Sequence, residues 1–136
     1  EEQDAFRELA GEFGATTGRP RDMGYFDAVA TKNGVELQAA TEIALTKIDC
    51  LTDLKDLKIC VAYQGEHSEN PIWPQTAEWA PVYEQMESWS EDITGCREFD
   101  ELPVAAQKYV LRIEELMGVP VKMVSVGPER EQMIIR

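Results

Sequence analysis

The chain has 136 residues, a usual length for a single domain, and 43% of them are hydrophobic, which is enough for one core. Its formal net charge of −13 disfavours binding to nucleic acids or acidic membranes, because phosphate recognition needs a basic surface. That charge still permits a small phosphorylated ligand held by a few local arginines. No apolar run reaches the roughly 18 residues of a membrane span, and no signal peptide is recognisable. The chain starts with EEQDAF rather than methionine, so this end gives no information about a leader.

The first third of the sequence predicts two helices with a loop between them. Residues 4–13 place Phe6, Leu9 and Phe13 on one helical face. Residues 14–22, GATTGRPRD, combine glycine and proline with two arginines and are predicted to form a loop, which we call the arginine loop. A weaker helical pattern covers residues 25–40.

The middle of the sequence predicts two strands followed by a long irregular excursion. Residues 42–48 are typical of a buried strand, and residues 50–56 of a turn or short helical piece. Residues 57–63, LKICVAY, form the best strand pattern because they are β-branched and aromatic between polar flanks. The excursion, residues 64–96, is expected to be irregular but ordered by its tryptophans, which are Trp73, Trp79 and Trp89.

The last third predicts the clearest helix and a third strand. Residues 103–117 carry an apolar stripe that includes Tyr109 and Ile113, and Gly118 is expected to end this helix. Residues 119–126, VPVKMVSV, are predicted to form a strand that ends at Gly127.

This order predicts an α/β fold with three firm strands and two to three helices. A sheet of three strands is small, so the chain is interpreted as part of a larger layered domain of sheet and helices. No repeat or composition shift divides the sequence, and residues 1–136 are treated as one unit without an internal boundary.

The cysteine and histidine content favours a reduced environment without a metal site. The three cysteines are odd in number and form no CxxC motif, which predicts free thiols and a cytoplasmic setting. The single histidine, His67, lies in the polar stretch GEHSEN and is expected at the surface. No cysteine cluster accompanies it, so no metal-ligating residue is predicted.

The arginine loop is a candidate anion site. Arg19 and Arg21 flank Pro20, and a guanidinium binds carboxylate or phosphate through two parallel hydrogen bonds. The two threonines and Gly18 add further donors. The alternative is that both arginines pair with the surplus carboxylates of the chain itself.

Two strand ends are candidate parts of a base-binding site. Lys47, Ile48 and Asp49 lie at the end of one predicted strand, and an aspartate there can accept both hydrogen bonds offered by the ring N–H and amino group of guanine. Residues 125–127 lie at the end of another predicted strand, and their backbone amides can bind the guanine carbonyl. Each motif alone is compatible with an ordinary strand end. Ligands of open α/β sheets bind where strand ends meet, so the two motifs together indicate a binding site more strongly than either motif alone.

Taken in order, the motifs resemble the C-terminal portion of adenylosuccinate synthetases. The similar stretches cover nearly the whole chain: GEFGATTGRPR, GYFDAVA, LTKID, LKICVAY, WSEDITG, LPVAAQKYVLRIEELMGVPV and SVGPER. The resemblance implies a GTP-dependent ligase that joins IMP and L-aspartate to give adenylosuccinate, GDP and phosphate, in AMP biosynthesis. It also implies a cytoplasmic homodimer with Mg²⁺ as cofactor.

The resemblance further implies a role for each motif. The aspartate and IMP segment corresponds to Ala15, Thr16, Thr17, Gly18, Arg19, Pro20 and Arg21. Arg21 is expected to contact GTP as well. The GTP site corresponds to Lys47, Ile48, Asp49, Ser125, Val126 and Gly127.

The catalytic groups of the family have no counterpart in these 136 residues. No GDEGKG-like phosphate loop occurs, and the Mg²⁺ site and catalytic aspartate and histidine are expected from an N-terminal part of the parent. No residue of this chain is therefore predicted to be catalytic. The alternatives are an isolated, non-catalytic fragment that at most binds guanine nucleotide weakly, and a different GTP-binding protein with a TKxD motif.

Overall fold

The computed structural model describes residues 2–64 and 80–136, with residues 2 and 3 described by their backbone alone. The helices are α1, Glu2–Ala10, α2, Ala28–Leu37, and α3, Val104–Met117. The strands are β1, Phe26–Asp27, β2, Ile43–Leu45, β3, Lys58–Gln64, β4, Ala80–Gln85, β5, Val121–Ser125, and β6, Met133–Ile135. Short 3-10 helices cover Ile48–Leu51, Phe99–Glu101 and Arg130–Gln132.

The strands form two sheets of three strands each, with orders β1-β3-β4 and β2-β5-β6. The pairs β1–β3 and β2–β5 are parallel, whereas β3–β4 and β5–β6 are antiparallel. Helices and mixed strands confirm the predicted α/β class. The three predicted strands are all present, but β3 belongs to a different sheet from β2 and β5.

Helix α3 contributes several residues to the buried core. Its predicted stripe is buried, with Val110 and Ile113 fully enclosed and Tyr109 only 4% exposed. Full burial of one such aliphatic side chain stabilises the fold by roughly 1.5–3 kcal/mol. The helix ends at Gly118, which has φ 71° and adopts the left-handed conformation that glycine tolerates best. Strand β5 begins three residues later, so this cap aims the chain toward the candidate site.

Helix α1 is shorter than the pattern of apolar residues predicts. It ends at Ala10, and Gly11 follows with φ 61°. Phe13 leaves the helical face and forms an antiparallel bridge with Pro20. The early end of α1 therefore closes the arginine loop. Helix α2 starts later than predicted, because the side chain of Asp27 accepts a hydrogen bond from the amide of Ala30 and caps the helix there.

The excursion between β3 and α3 is more regular than predicted. Residues 80–85 form β4 at the edge of the first sheet, so the prediction of irregular chain is wrong there. Trp89 is 3% exposed and donates a hydrogen bond to the Thr52 hydroxyl at 3.2 Å, as expected of an ordering residue. His67, Trp73 and Trp79 lie outside the described residues.

The cysteines within the described ranges, Cys50, Cys60 and Cys96, are free thiols. Across residues 2–64 and 80–136, none of the helices combines the length and apolar character that crossing a membrane requires.

Candidate functional site

The carboxyl ends of β2 and β5 lie side by side. The two strands run parallel, with Leu45 opposite Val124. Just beyond them, the backbone amide of Lys47 donates to the Ser125 hydroxyl at 3.2 Å. The same hydroxyl lies 3.4 Å from the carbonyl oxygen of Gly127, to which it donates. The structure thus brings together the two strand ends that the sequence singled out.

The lysine–aspartate turn, residues 47–49, is held in an unusual conformation. Lys47 has φ 62°, in the left-handed region that non-glycine residues rarely adopt. A 3-10 helix starts at Ile48, whose side chain is 1% exposed and anchors the turn in the core. This anchoring fixes where the following side chain, Asp49, projects.

Asp49 carries an acceptor atom without a partner. Its Oδ1 is buried and accepts no hydrogen bond from any described residue. Its Oδ2 accepts only a weak contact from the Cys50 thiol at 3.8 Å. An unpaired buried carboxylate oxygen is costly, so an atom of this kind points to a ligand that donates to it. Burial, together with the charge of Asp49, raises the pKa of Cys50 and keeps that thiol protonated.

The serine turn, residues 125–127, offers fewer free amides than the sequence predicts. The Val126 amide donates to the Gln132 carbonyl at 2.9 Å and is not available to a ligand. The Gly127 amide remains as the donor that this turn can present. A Cβ built on Gly127 lies 2.2 Å from the side chain of Gln132, so a larger residue does not fit without moving that side chain.

The arginine loop is closed by its own backbone. The Gly14 amide donates to the Arg19 carbonyl, and the Gly18 amide donates to the Gly14 carbonyl, both at 2.8 Å. Gly18 has φ 65°, which favours glycine there. The Arg19 amide also approaches the Thr17 hydroxyl at 3.4 Å. Ala15, Thr16, Thr17, Arg19 and Pro20 remain exposed to solvent. The loop is therefore shaped before any ligand binds.

The two arginines differ in their contacts. Arg21 donates from Nη1 to the Glu12 carboxylate at 2.7 Å, and its carbonyl oxygen accepts from Arg7 at 2.7 Å. Arg19 is exposed and forms no ion pair with any residue in the described ranges. The alternative that the arginines pair with the chain's own carboxylates thus holds for Arg21. The guanidinium of Arg19, in contrast, is open to an external anion.

Glu12 joins the arginine loop to the lysine–aspartate turn. Its Oε1 accepts a short hydrogen bond from Lys47 Nζ, while its Oε2 accepts from Arg21. The hydrogen bonds from Lys47 and then Arg21 lower the pKa of Glu12. Sequence reasoning missed this residue because it lies in the stretch predicted to be helix α1. The only local indication that Glu12 could contact other segments is its position two residues after the end of α1.

The described residues contain no group of three or more histidine, cysteine or acidic side chains able to hold a metal ion. The polar groups near the two turns are instead hydrogen-bond acceptors, amides and cations. This arrangement can recognise a planar base and nearby anionic groups.

Comparison with known proteins places this geometry in context. The family model for adenylosuccinate synthetase matches residues 1–134. Adenylosuccinate synthetase 2 of Pseudoalteromonas translucida is 81% identical over this whole chain, which spans 32% of that relative. The adenylosuccinate synthetase of Trichlorobacter lovleyi is 48% identical over 95% of the chain, which spans 31% of that relative. The solved structure of fully ligated adenylosuccinate synthetase from Plasmodium falciparum superposes with a TM-score of 0.93 at 36% identity, covering 99% of this chain and 34% of that one.

Proposed function

Because the chain belongs to the adenylosuccinate synthetase family, we propose that it is the substrate-recognition part of a GTP-dependent ligase that joins IMP and L-aspartate. The products are adenylosuccinate, GDP and phosphate. Residues 1–136 act as one unit in this proposal. The relatives named above, which are adenylosuccinate synthetases, support it.

The buried, unpaired Oδ1 of Asp49 is the observation that carries the proposal. The Asp49 carboxylate accepts hydrogen bonds from the ring N–H and the amino group of guanine, which lie side by side on one edge. The aliphatic stem of Lys47 lies along the base, and the Gly127 amide donates to the guanine carbonyl. Three contacts from two strand ends thereby distinguish guanine from adenine, whose corresponding edge lacks this donor and acceptor pattern.

The arginine loop binds the anionic groups of the other substrates. Arg19 binds IMP and the carboxylates of L-aspartate, and this role is supported by its lack of an ion pair with any described residue. Arg21 serves the same region and also contacts the GTP side. The backbone and hydroxyls of residues 15–18 complete the aspartate segment. Because the loop is already closed by hydrogen bonds, little ordering is needed when substrate binds.

Two reaction steps need these contacts. The IMP oxygen first attacks the γ-phosphate of GTP, and the amine of L-aspartate then displaces phosphate from the base. The residues of this chain hold the guanine, the nucleotide and the amino acid in position and offset negative charge. The catalytic acid and base belong to the rest of the parent enzyme. The described residues do not fit a Mg²⁺ site, so no step is assigned to a metal here.

A second candidate is a guanine-nucleotide-binding segment without catalysis. Every residue assigned to the base lies within this chain, and the Lys47–Ser125 hydrogen bond holds the two turns together without further protein. The segment alone is then expected to bind guanine nucleotides weakly.

The ratio of catalytic efficiencies for GTP and ITP tests the proposal in the full-length protein that carries this segment. ITP lacks the amino group, so the wild-type protein is expected to prefer GTP. Asp49→Ala leaves the guanine donors unpaired, and we expect efficiency with GTP to fall about 5- to 150-fold, corresponding to about 1–3 kcal/mol. The preference for GTP over ITP should largely disappear.

Asp100→Ala is the matched control, because Asp100 is an exposed aspartate outside the two turns. It should leave the GTP/ITP ratio unchanged. An Asp49→Ala protein with the wild-type ratio would contradict base reading by Asp49. Absence of adenylosuccinate formation by the wild-type full-length protein would contradict the ligase assignment itself.

A further inference from the structure

The Glu12 bridge is the set of contacts from the Glu12 carboxylate to Lys47 Nζ and Arg21 Nη1. The Glu12 side chain is 19% exposed, whereas those of Lys47 and Arg21 are 51% and 54% exposed. A mostly covered anion thus lies between two half-exposed cations. One carboxylate oxygen is used for each partner, so the bridge can hold both cations at once.

Both ends of the bridge are reinforced by the backbone. Lys47 Nζ also donates to the Ala10 carbonyl at 2.9 Å. The Arg21 amide donates to the Glu12 carbonyl at 3.1 Å. These contacts distinguish the bridge from an isolated surface ion pair, whose two long side chains are free to separate. The end of α1 thereby holds the lysine–aspartate turn and the arginine loop in a fixed relation.

The bridge leaves the ligand-facing groups available. The ammonium of Lys47 is bound by Glu12 and Ala10, while its apolar stem remains free to lie along a base. Arg21 uses only Nη1 for Glu12, and a guanidinium has five N–H donors. Its Nε and Nη2 form no hydrogen bond or ion pair with the described part of the chain. The bridge is therefore compatible with occupied nucleotide and aspartate sites.

We propose that Glu12 is a positioning residue that couples the guanine site to the arginine loop, so that GTP and L-aspartate strengthen each other's binding. The inference rests on the proposed function. A guanine that packs on Lys47 restrains that side chain and, through Glu12, restrains Arg21. The backbone of the loop is closed without any ligand, so what the guanine restrains is the half-exposed Arg21 side chain. L-aspartate then binds beside a guanidinium that is already held, and thermodynamic reciprocity requires the same benefit for the nucleotide.

The test measures the affinity of a non-hydrolysable GTP analogue for the full-length protein by calorimetry, with IMP and Mg²⁺ present and with or without L-aspartate. The analogue prevents turnover, so the affinities are true binding constants. In the wild-type protein we expect L-aspartate to tighten analogue binding at least about fivefold, the lower end of typical couplings. Glu12→Gln removes the charge while keeping the shape. In this variant the affinity ratio, which is the affinity for the analogue with L-aspartate divided by that without it, should fall close to one.

Two further variants separate coupling from stability. Lys47→Met removes the other end of the bridge but keeps an apolar side chain for the base, and the ratio should again fall close to one. Glu84→Gln is the matched control, because Glu84 accepts from Arg112 at 2.8 Å on β4, outside the two turns. It should lower the melting temperature while keeping the wild-type ratio.

The possible outcomes are distinct. The coupling is overturned if folded Glu12→Gln protein has the same affinity ratio as the wild-type protein. It is also overturned if the wild-type protein binds the analogue equally well with and without L-aspartate. Both leave the proposed function intact. A wild-type full-length protein that binds no GTP analogue contradicts the proposed function instead.

Discussion

Arg19 and Arg21 are separated by one proline, and their surroundings differ in a way that supports the different roles proposed for them. The guanidinium of Arg21 is restrained by Glu12, and its backbone is held by Arg7 and Glu12. The guanidinium of Arg19 is exposed and has no internal anion among the described residues. Residues two apart in an extended segment point to the same side, so the two side chains can serve neighbouring ligands.

Replacing each arginine by leucine in the full-length protein should therefore give different kinetics. Arg19→Leu is expected to raise the Michaelis constants for L-aspartate and IMP, and Arg21→Leu that for GTP as well. Loss of a charge-assisted contact predicts a change of about 10- to 150-fold in each affected constant. Steady-state kinetics with one substrate varied at a time would measure this. Lys55→Leu, which removes an exposed cation outside the loop, is the control.

Unchanged Michaelis constants and turnover in both arginine variants would show that the loop captures no substrate anion. Equal effects of both variants on all three substrates would contradict the division of roles. Folding of each variant is checked by its melting temperature, since Arg21→Leu also removes one contact of Glu12.

At the scale of elements, the serine turn and the 3-10 helix that follows it fit together through one glutamine. The Gln132 side chain accepts from the Glu129 amide at 3.0 Å and donates to the Thr94 carbonyl at 3.1 Å. A Cβ on Gly127 would occupy the space of that side chain. A Cβ here would displace the end of this flexible side chain and break both hydrogen bonds, so glycine is the residue that fits the turn without moving Gln132.

Gly127→Ala is expected to destabilise the full-length protein by about 0.5–1.5 kcal/mol, because the displaced Gln132 side chain loses its hydrogen bonds. In a Gln132→Ala background the space is vacant and these hydrogen bonds are already absent, so the same substitution should cost clearly less. Urea unfolding of the four proteins in this cycle measures the difference. Equal costs in both backgrounds would show that the close approach to Gln132 is not what limits residue 127.

The longest periodic helix was predicted well, whereas two of the shortest strands were missed. Helix α3 has almost its predicted bounds because its apolar stripe extends over several turns. Strands β1 and β6 have two and three residues, too few for any alternation to be visible. The prediction for α1 ran too far because Phe13 lies at helical spacing from Leu9, whereas tertiary pairing with Pro20 determines its actual position.

Strand β4 illustrates a different limit. Its sequence, APVYEQ, includes Pro81 and Glu84, which disfavour a central strand. The residues are tolerated because β4 is at the edge of its sheet, where one side of the backbone needs no partner. Edge position depends on the partner strand, and no local pattern reveals it.

Nonlocal contacts also limited the prediction of the site. The meeting of the two strand ends followed from the order of strands and helix, since crossover connections produce parallel pairs. Glu12 lies 35 residues before Lys47, and no spacing rule relates them. The amide of Gly127, rather than that of Val126, is available to a ligand because the Val126 amide donates to the Gln132 carbonyl. This backbone contact is likewise invisible in the sequence.

At the scale of the whole molecule, the chain spans about a third of the curated relatives it matches, 32% of one and 31% of another. Several large apolar side chains are left exposed on its surface, among them Leu9 at 67%, Leu37 at 80% and Ile135 at 65%. Such exposure fits the interpretation of the chain as part of a larger layered domain.

The isolated 136-residue chain is accordingly expected to form no adenylosuccinate, because none of its residues is assigned to acid–base chemistry. An assay with GTP, IMP, L-aspartate and Mg²⁺ measures this, and the full-length protein is the positive control. Turnover by the isolated chain at a rate comparable to the full-length protein would show that the catalytic groups lie within residues 1–136.

The hydrogen bond between Lys47 and Ser125 joins positions 78 residues apart, which has a consequence for biosynthesis. At about 5–20 residues per second, the ribosome adds Ser125 roughly 4 to 16 seconds after Lys47. During that interval β2 has no β5 to pair with, and its edge is exposed to other nascent chains. The site that we propose for the guanine base is thus completed late in translation. Before β5 emerges, β2, the strand that precedes Lys47 and Asp49, is a place where aggregation can begin.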